Sequence, residues 1–157
     1  MDVATTTTAI RALLTGDATF AADIAAAIGQ PVARVLRANT PWEQISANQL
    51  PCFVMEQGDG ATSSWASGDE SGLVIGHRSQ AFSYELDICL LWNEQNRETA
   101  ADQRAALPGA LGRLFLRNPQ PGGCNAAWLK EWMPDQGVRH PLQCWVARVH
   151  CEITIED

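Results

Sequence analysis

Acidic side chains outnumber basic ones in this chain of 157 residues, by 18 to 11, which gives a formal net charge of −7. The length suits a single domain over residues 1–157, and 46% hydrophobic with 18% charged residues is the composition of a folded protein. The acidic balance argues against binding a phosphate backbone, and no apolar run approaches the roughly 20 residues of a membrane span. We therefore expect no membrane partner, no specific nucleic-acid binding, and synthesis in a cytoplasm.

Two helices are predicted in the N-terminal part of the chain. Thr7 or Thr8, at the end of a polar lead, can cap a first helix, which ends at Gly16. A second helix covers Ala18–Ile28 and ends at Gly29, because glycine readily adopts the left-handed backbone that closes a helix. The alanine-rich face of the second helix can pack closely against a sheet.

A short strand is predicted at Cys52–Glu56, and the turn residues Gly58–Gly60 end it. Upstream, residues 30–37 suit either a short strand or an extended link, because their apolar positions do not alternate strictly. Between these segments, Trp42 and Ile45 are flanked by turn residues, and we expect both side chains to anchor the segment by packing.

Residues 61–72 are rich in Gly, Ser and Thr, and the composition predicts a mobile loop with Trp65 at its centre. A tryptophan in such a loop either packs back on its own sheet or anchors a partner protein, and the sequence leaves both readings open. Asp69 and Glu70 follow in the same loop, and Arg78 precedes the next strand. These four charged or aromatic side chains are the candidate protein-interface residues, although solvation alone also explains the two carboxylates.

The segment Gln80–Leu91 alternates apolar and polar residues with a period of two, the pattern of a half-buried strand. Its length predicts a central strand on which the other strands pair. One face carries Phe82, Tyr84, Leu86, Ile88 and Leu90, and the other carries Ser83, Glu85 and Asp87.

Residues 92–118 are helical by composition, but Pro108 lies within them. Proline removes the hydrogen bond to the carbonyl four residues earlier and crowds the preceding turn, so we expect a break or kink there, with Pro108 able to begin a second helix. The predicted apolar face comprises Leu107, Leu111, Leu114 and Phe115.

The last elements are a segment at residues 126–133 and a strand at Pro141–Glu156. Trp128 and Trp132 are four positions apart, which suits one face of a helix, while the short length also allows a strand. The terminal strand alternates as the central one does, with its polar face at Arg148, His150, Glu152 and Thr154. This order of elements predicts an α+β fold, a mixed or antiparallel twisted sheet with helices packed on one face.

Five cysteines make an odd number, and no C-x-x-C pair occurs among them. Three lie in predicted strands, where a thiol behaves as a small apolar side chain, so we expect buried and reduced thiols. A zinc site or a Cys-His nucleophile is conceivable around Cys144, but the close ligand pairs of a structural zinc site are absent there. The strand thiols are Cys52, Cys89 and Cys151, and the alternative site would use Cys144, His140 and His150.

A small enzyme is the rival functional class. Asp87 with Glu85 on one strand face could act as an acid and base pair, but carboxylates at i and i+2 on a wet strand are usually only solvated. The strings of P-loop proteins, serine hydrolases and zinc proteases do not occur in the sequence. We therefore expect a protein without catalytic residues, bound metal or cofactor.

The order of elements resembles that of the tail terminator, or tail completion, proteins of long-tailed bacteriophages. The resemblance covers nearly the whole chain from Ile10 onward and rests on short strings rather than on one diagnostic motif. The strings are LPCFVMEQGDG at Leu50–Gly60, SYELDICLLW at Ser83–Trp92, the helix around Arg97–Leu116, and WVARVHCEITIED at the end.

The resemblance implies a structural virion protein. Members of that family form a hexameric ring on the last ring of the tail tube, stop its polymerisation and present a surface to the head-completion proteins. The implied partners are further copies of the chain, the tail tube protein and a head-completion or neck protein, with DNA only as passing cargo. The implied location is the virion tail, with assembly in the host cytoplasm. A neck or minor tail adaptor of the same fold is the alternative.

Overall fold

The computed structural model describes residues 2–36, 44–66, 79–134 and 141–156. Within them, five strands form one sheet in the order β1-β2-β3-β5-β4, and only the β1–β2 pair is parallel. The helices are α1 (Val3–Gly16), α2 (Ala18–Ile28) and α3 (Arg97–Arg117), and the strands are β1 (Val35–Leu36), β2 (Cys52–Ala66), β3 (Ser79–Asn93), β4 (Ala126–Pro134) and β5 (Leu142–Glu156). The predicted α+β class is confirmed.

Strand β3 lies at the centre of the sheet, as its alternation predicts. It pairs with β5 without interruption, from Ser79 opposite Glu156 to Asn93 opposite Leu142. Inward-facing residues of both strands join side chains of all three helices in one core. The strand contribution to this core comprises Tyr84, Leu86, Ile88, Leu90, Trp92, Trp145, Ala147, Val149, Cys151 and Ile153. We call the face of the sheet that carries these residues the helix face, and its opposite the reverse face.

The N-terminal helix begins earlier than predicted. Asp2, not Thr7 or Thr8, caps α1, and its carboxylate accepts a hydrogen bond of 2.7 Å from the Thr5 amide. An aspartate carboxylate is a strong cap, so the threonines that follow it are drawn into the helix. Helix α2 has its predicted bounds and ends at Gly29, whose φ of 75° is left-handed.

Asp17 joins the first two helices to the third. Its carboxylate accepts a 2.7 Å hydrogen bond from the Phe20 amide and thereby caps α2. The same carboxylate accepts from Arg117 at 3.1 Å and from the amide of Asn118 at 3.3 Å, both at the end of α3. These hydrogen bonds, first among them that from Phe20, lower the pKa of Asp17.

Strand β2 is much longer than the predicted Cys52–Glu56. It continues to Ala66, so the predicted stop at Gly58–Gly60 and the loop reading of residues 61–66 are wrong. The pairing with β3 shifts register between Gln57 and Gly60 and again between Thr62 and Ser64. Because β3 offers a continuous line of backbone partners, two bulges let the glycine- and serine-rich segment stay paired. Residues 67–72 of the predicted loop lie outside the described part of the chain.

Helix α3 passes through Pro108 as one helix, so the predicted start of a second helix there is wrong. Asn96 caps it and accepts hydrogen bonds from two amides of the first turn. The predicted apolar face is buried on both sides of the proline, which holds the helix against the sheet despite the missing hydrogen bond. None of the helices in the described ranges is both long and apolar enough to cross a bilayer.

A buried glutamine fixes the start of α3 on the sheet. The side-chain oxygen of Gln103 accepts a hydrogen bond of 2.7 Å from the Trp92 indole N–H. The side-chain nitrogen of Gln103 donates one hydrogen bond to the Ile28 carbonyl, at 3.3 Å, and another to the Glu94 carboxylate, at 3.1 Å. Next to it, Arg104 donates 2.6 Å to the buried Gln143. Each of these polar groups has a partner, so the network specifies how the helix is seated without leaving an unpaired group.

A second, smaller core lies on the reverse face. Its buried residues are Cys52, Val54, Cys89, Leu91 and Cys144. Ile45 packs against it from the segment before β2, as predicted for that anchor, together with Leu36 and Leu50. Trp42, the other predicted anchor, lies outside the described residues. All five cysteines are buried, as the sequence predicts.

Candidate protein-interaction surface

Of the four predicted interface residues, Trp65 alone lies in the part of the chain that the structure describes. Trp65 lies in β2, where its backbone pairs with Gln80 of β3, so it is a strand residue rather than a loop residue. Asp69, Glu70 and Arg78 lie outside the described residues. Their role at an interface stays a prediction.

The reverse face carries a charged cluster across β3, β5 and β4. Arg148 is its hub and binds Asp87 with two hydrogen bonds, Nε to Oδ1 at 2.8 Å and Nη2 to Oδ2 at 3.1 Å. Its third nitrogen donates to Glu131 at 2.8 Å, and Nε lies 3.3 Å from Glu85. Glu85 also forms an ion pair with Lys130, the only lysine in the sequence.

The strand register explains why these charges meet. Asp87 lies opposite Arg148 in the β3–β5 pair, and Glu131 lies opposite Arg148 in the β5–β4 pair. Hydrogen bonding to Asp87 raises the pKa of Arg148 above its already high value. The two carboxylates that sequence reasoning weighed as an acid and base pair, Glu85 and Asp87, therefore bind the same guanidinium and form part of a structural ion-pair cluster.

The buried thiols lie in surroundings that keep them protonated. Burial raises the pKa of Cys89 to about 12 and that of Cys151 to about 12. A thiolate is the nucleophilic form, so neither sulfur is activated. Cys144 and His150 share the reverse face of β5, whereas His140 lies outside the described residues. Among the residues that the structure describes, no group of three His, Cys, Asp or Glu side chains is placed to hold a metal ion.

Strand β4 is an edge strand of the sheet formed by the described residues. The sequence of residues 126–133 suits either a helix or a strand, and in the structure they form a strand with a bulge between Leu129 and Glu131. The bulge explains the ambiguity, because it alters the simple alternation that identifies a strand. Across the bulge, Trp128 lies opposite His150 on the reverse face, and Trp132 lies opposite Ala147 on the helix face.

Large apolar side chains are exposed along this edge. Trp128 is 41% exposed, Trp132 50% and Met133 53%, and Leu116 on the neighbouring end of α3 is 82% exposed. Trp128 packs on His150 with ring centroids 4.5 Å apart. We call these four exposed side chains the β4 edge patch. In the sequence, the pair Trp128 and Trp132 was the only indication of this patch. The spacing of the two tryptophans did not show whether their side chains are buried or exposed.

An apolar groove lies between α3 and β4 beside the patch. It has a volume of about 460 Å³ and is lined by Gly112, Phe115, Leu116, Pro119, Ala127, Trp128 and Leu129. The groove and the patch form one apolar border on a molecule whose reverse face is charged. A border of this kind suits contact with another protein rather than with a polar small molecule.

Comparison with known proteins gives a likeness of fold. No protein-family model matches the chain. No curated protein matches it either. Among solved structures, the fold is similar to that of a chain of the virion of a native gene transfer agent (GTA) particle, with a TM-score of 0.51 and 14% sequence identity. The similarity covers 95% of this chain and 94% of that chain.

Proposed function

We propose that this protein is a structural component of a phage-like virion, a tail terminator that caps the tail tube as a ring, stops tube polymerisation and joins the tail to the head. The observation that carries the proposal is the fold likeness to a chain of a gene transfer agent virion, which extends over nearly the full length of both chains. A match of that extent compares whole domains rather than a shared substructure.

The surfaces support a role in assembly. One face of the sheet is covered by helices, and the reverse face carries, beside its small apolar core, ion pairs whose side chains are partly exposed to neighbours. The β4 edge patch adds exposed tryptophans, which protein interfaces favour. A net charge of −7 suits a conduit through which DNA passes without being held.

The resemblance of the sequence to tail terminators supplies the finer assignment. On this proposal the chain forms a hexameric ring at the end of the tail tube, between the tube protein and a head-completion or neck protein. In this role the protein acts by shape and protein contacts, without a cofactor.

Mixing the purified protein with polymerising tail tubes tests the assignment. Negative-stain images should show tubes that carry a cap at one end and stop at a uniform length. Tubes that stay uncapped, with lengths equal to those formed without the protein, would contradict the terminator role. Binding at the neck or elsewhere on the particle would instead identify an adaptor of the same fold.

The role of Trp65 is tested in the same mixture. We expect Trp65→Ala to leave the melting temperature nearly unchanged and to weaken capping, because the indole would contact a partner and not the core. Trp92→Ala is the matched control, since Trp92 is fully buried and its loss should cost about 3–5 kcal/mol. A fall in melting temperature comparable to that of the control would mean that Trp65 is a core residue.

A further inference from the structure

The β4 edge patch is at the upper end of the apolar patches that a lone domain exposes. Leu116, Trp128, Trp132 and Met133 are four of the five exposed large hydrophobic side chains among the described residues. When each exposed fraction is multiplied by the full surface area of that residue type, the exposed area of the four residues comes to roughly 500 Å². A stable protein interface buries about 800 Å² on each partner, so the patch supplies more than half of one side.

The six residues around the β4 bulge are self-complementary. When two copies of β4 run antiparallel about a two-fold axis between Lys130 and Glu131, apolar residues oppose apolar residues and a base opposes an acid. The opposed pairs are then Trp128 with the partner's Met133, Leu129 with the partner's Trp132, and Lys130 with the partner's Glu131.

Opposed residues must also point to the same face of the joined sheet, and here they do. Trp128 and Met133 lie opposite His150 and Val146, both on the reverse face. Leu129 and Trp132 lie opposite Val149 and Ala147, both on the helix face. Lys130 and Glu131 both contact charged groups of the reverse face.

The bulge is what makes this match. In a regular strand, the residues of each opposed pair would be an odd number of positions apart and would point to opposite faces. The extra residue between Leu129 and Glu131 reverses the alternation at the centre of the six residues. A bulge and a lysine usually discourage pairing at a sheet edge. In this register the bulge aligns the faces, and the lysine meets the partner's carboxylate.

We propose that the β4 edge binds a second copy of this chain, with the two β4 strands antiparallel about a two-fold axis between Lys130 and Glu131. Two five-stranded sheets thereby join into one, and the exposed tryptophans are covered. The pairing does not rest on the virion role. It is a property of the free protein, whereas a closed ring is built from head-to-tail contacts.

Charge-reversal variants test the register directly. The wild-type chain should sediment as a dimer in the micromolar range. In a dimer of Lys130→Glu, the new glutamate of each copy opposes the partner's Glu131, and in a dimer of Glu131→Lys the new lysine of each copy opposes the partner's Lys130. Each variant dimer therefore contains two pairs of like charge, and its dissociation constant should rise about tenfold to a hundredfold. An equimolar mixture of the two variants should recover the dimer, because position 130 of each chain then opposes a residue of opposite charge at position 131 of the other.

The mixture also separates the interface from effects within one chain. Lys130→Glu loses the ion pair with Glu85, and Glu131→Lys loses the ion pair with Arg148, and mixing restores neither. Recovery on mixing therefore reports contact between copies. Trp132→Ala should weaken the dimer with little change in circular dichroism. A monomeric wild type, or a dimer that neither charge variant weakens, overturns the proposal, as does a mixture of the two variants that stays monomeric.

Discussion

The two faces of the sheet use the same strands for different purposes. Along β3, Leu86 and Ile88 have no exposed surface, while Glu85 and Asp87, which alternate with them, remain partly exposed in the ion-pair cluster. The helix face excludes water and meets three helices, and the reverse face keeps its charges paired at the surface. The contrast indicates that the larger share of the stability resides on the helix face, and that the charged part of the reverse face and the β4 edge are available to neighbours.

Replacement of a helix-face residue should have the largest effect. Leu86→Ala removes a fully buried side chain at the centre of the core, and the cavity should lower the free energy of unfolding by about 2–5 kcal/mol. The matched control is Glu85→Ala at the adjacent position on the reverse face, where we expect a loss of about 1 kcal/mol or less. Urea unfolding of both variants measures the contrast, and equal losses would contradict it.

The second-largest effect is expected at the buried side-chain amide of Gln103 in α3. Gln103→Leu leaves the Trp92 indole N–H and the Ile28 carbonyl without their partner, which should cost about 1–3 kcal/mol. The double variant with Trp92→Phe removes the orphaned donor as well. A double-mutant cycle should then show that the second change costs less in the Gln103→Leu background than in the wild type. Additive losses would mean that the hydrogen bond contributes little.

The helix layer should also respond to pH through Asp17. Asp17→Ala removes the cap of α2 and the contacts with Arg117 and Asn118, for a loss of about 1 kcal/mol at neutral pH. Because folding lowers the pKa of this carboxyl, its contribution is present above the unfolded value near 3.8 and is lost as pH falls through the lower folded value. Chemical denaturation of wild type and variant should therefore converge in acid.

Asp2→Ala is the comparison for that experiment, since Asp2 caps α1 without contacting α3. It should destabilise the protein less than Asp17→Ala. A larger effect would mean that the link to α3 is unimportant.

The smallest effect is expected on the reverse face. Arg148→Ala leaves Glu85, Asp87 and Glu131 near one another without their common cation, so the melting temperature should fall modestly at low salt. High salt should narrow the difference, because it screens repulsion between exposed carboxylates. Thermal melts at two salt concentrations measure this, and a loss comparable to that of Leu86→Ala would mean that the ion-pair cluster stabilises the fold as much as the helix-face core does.

The sequence predicted the elements whose pattern is regular. Strands β3 and β5 alternate along most of their length, so their bounds to within two residues, most of their inward residues and the central place of β3 followed from a period of two. Helix α2 was correct at both ends, because Asp17 caps its start and Gly29 adopts the left-handed backbone at its end. In these segments the local preference and the tertiary structure agree.

Sequence predictions were wrong where the structure depends on pairing with another strand, on one capping side chain or on tertiary packing. The length of β2 depends on pairing with β3 across two bulges, which glycine and serine alone do not reveal. The start of α1 depends on the Asp2 carboxylate. The continuity of α3 depends on packing on both sides of Pro108, which outweighs the local cost of the proline. The β4 edge patch was missed because the spacing of Trp128 and Trp132 also suits one face of a helix, whereas the bulge puts the two residues on opposite faces of the sheet.

The order of strands in the sheet differs from their order along the chain, and this affects synthesis. Strand β4 leaves the ribosome before β5, yet β5 lies between β4 and the rest of the sheet. A nascent chain that ends before Leu142 therefore has no described strand with which β4 can pair, and one side of β3 stays bare. Closure of the sheet therefore depends on the fifteen residues of β5, which supply the partner of β4 and the second neighbour of β3.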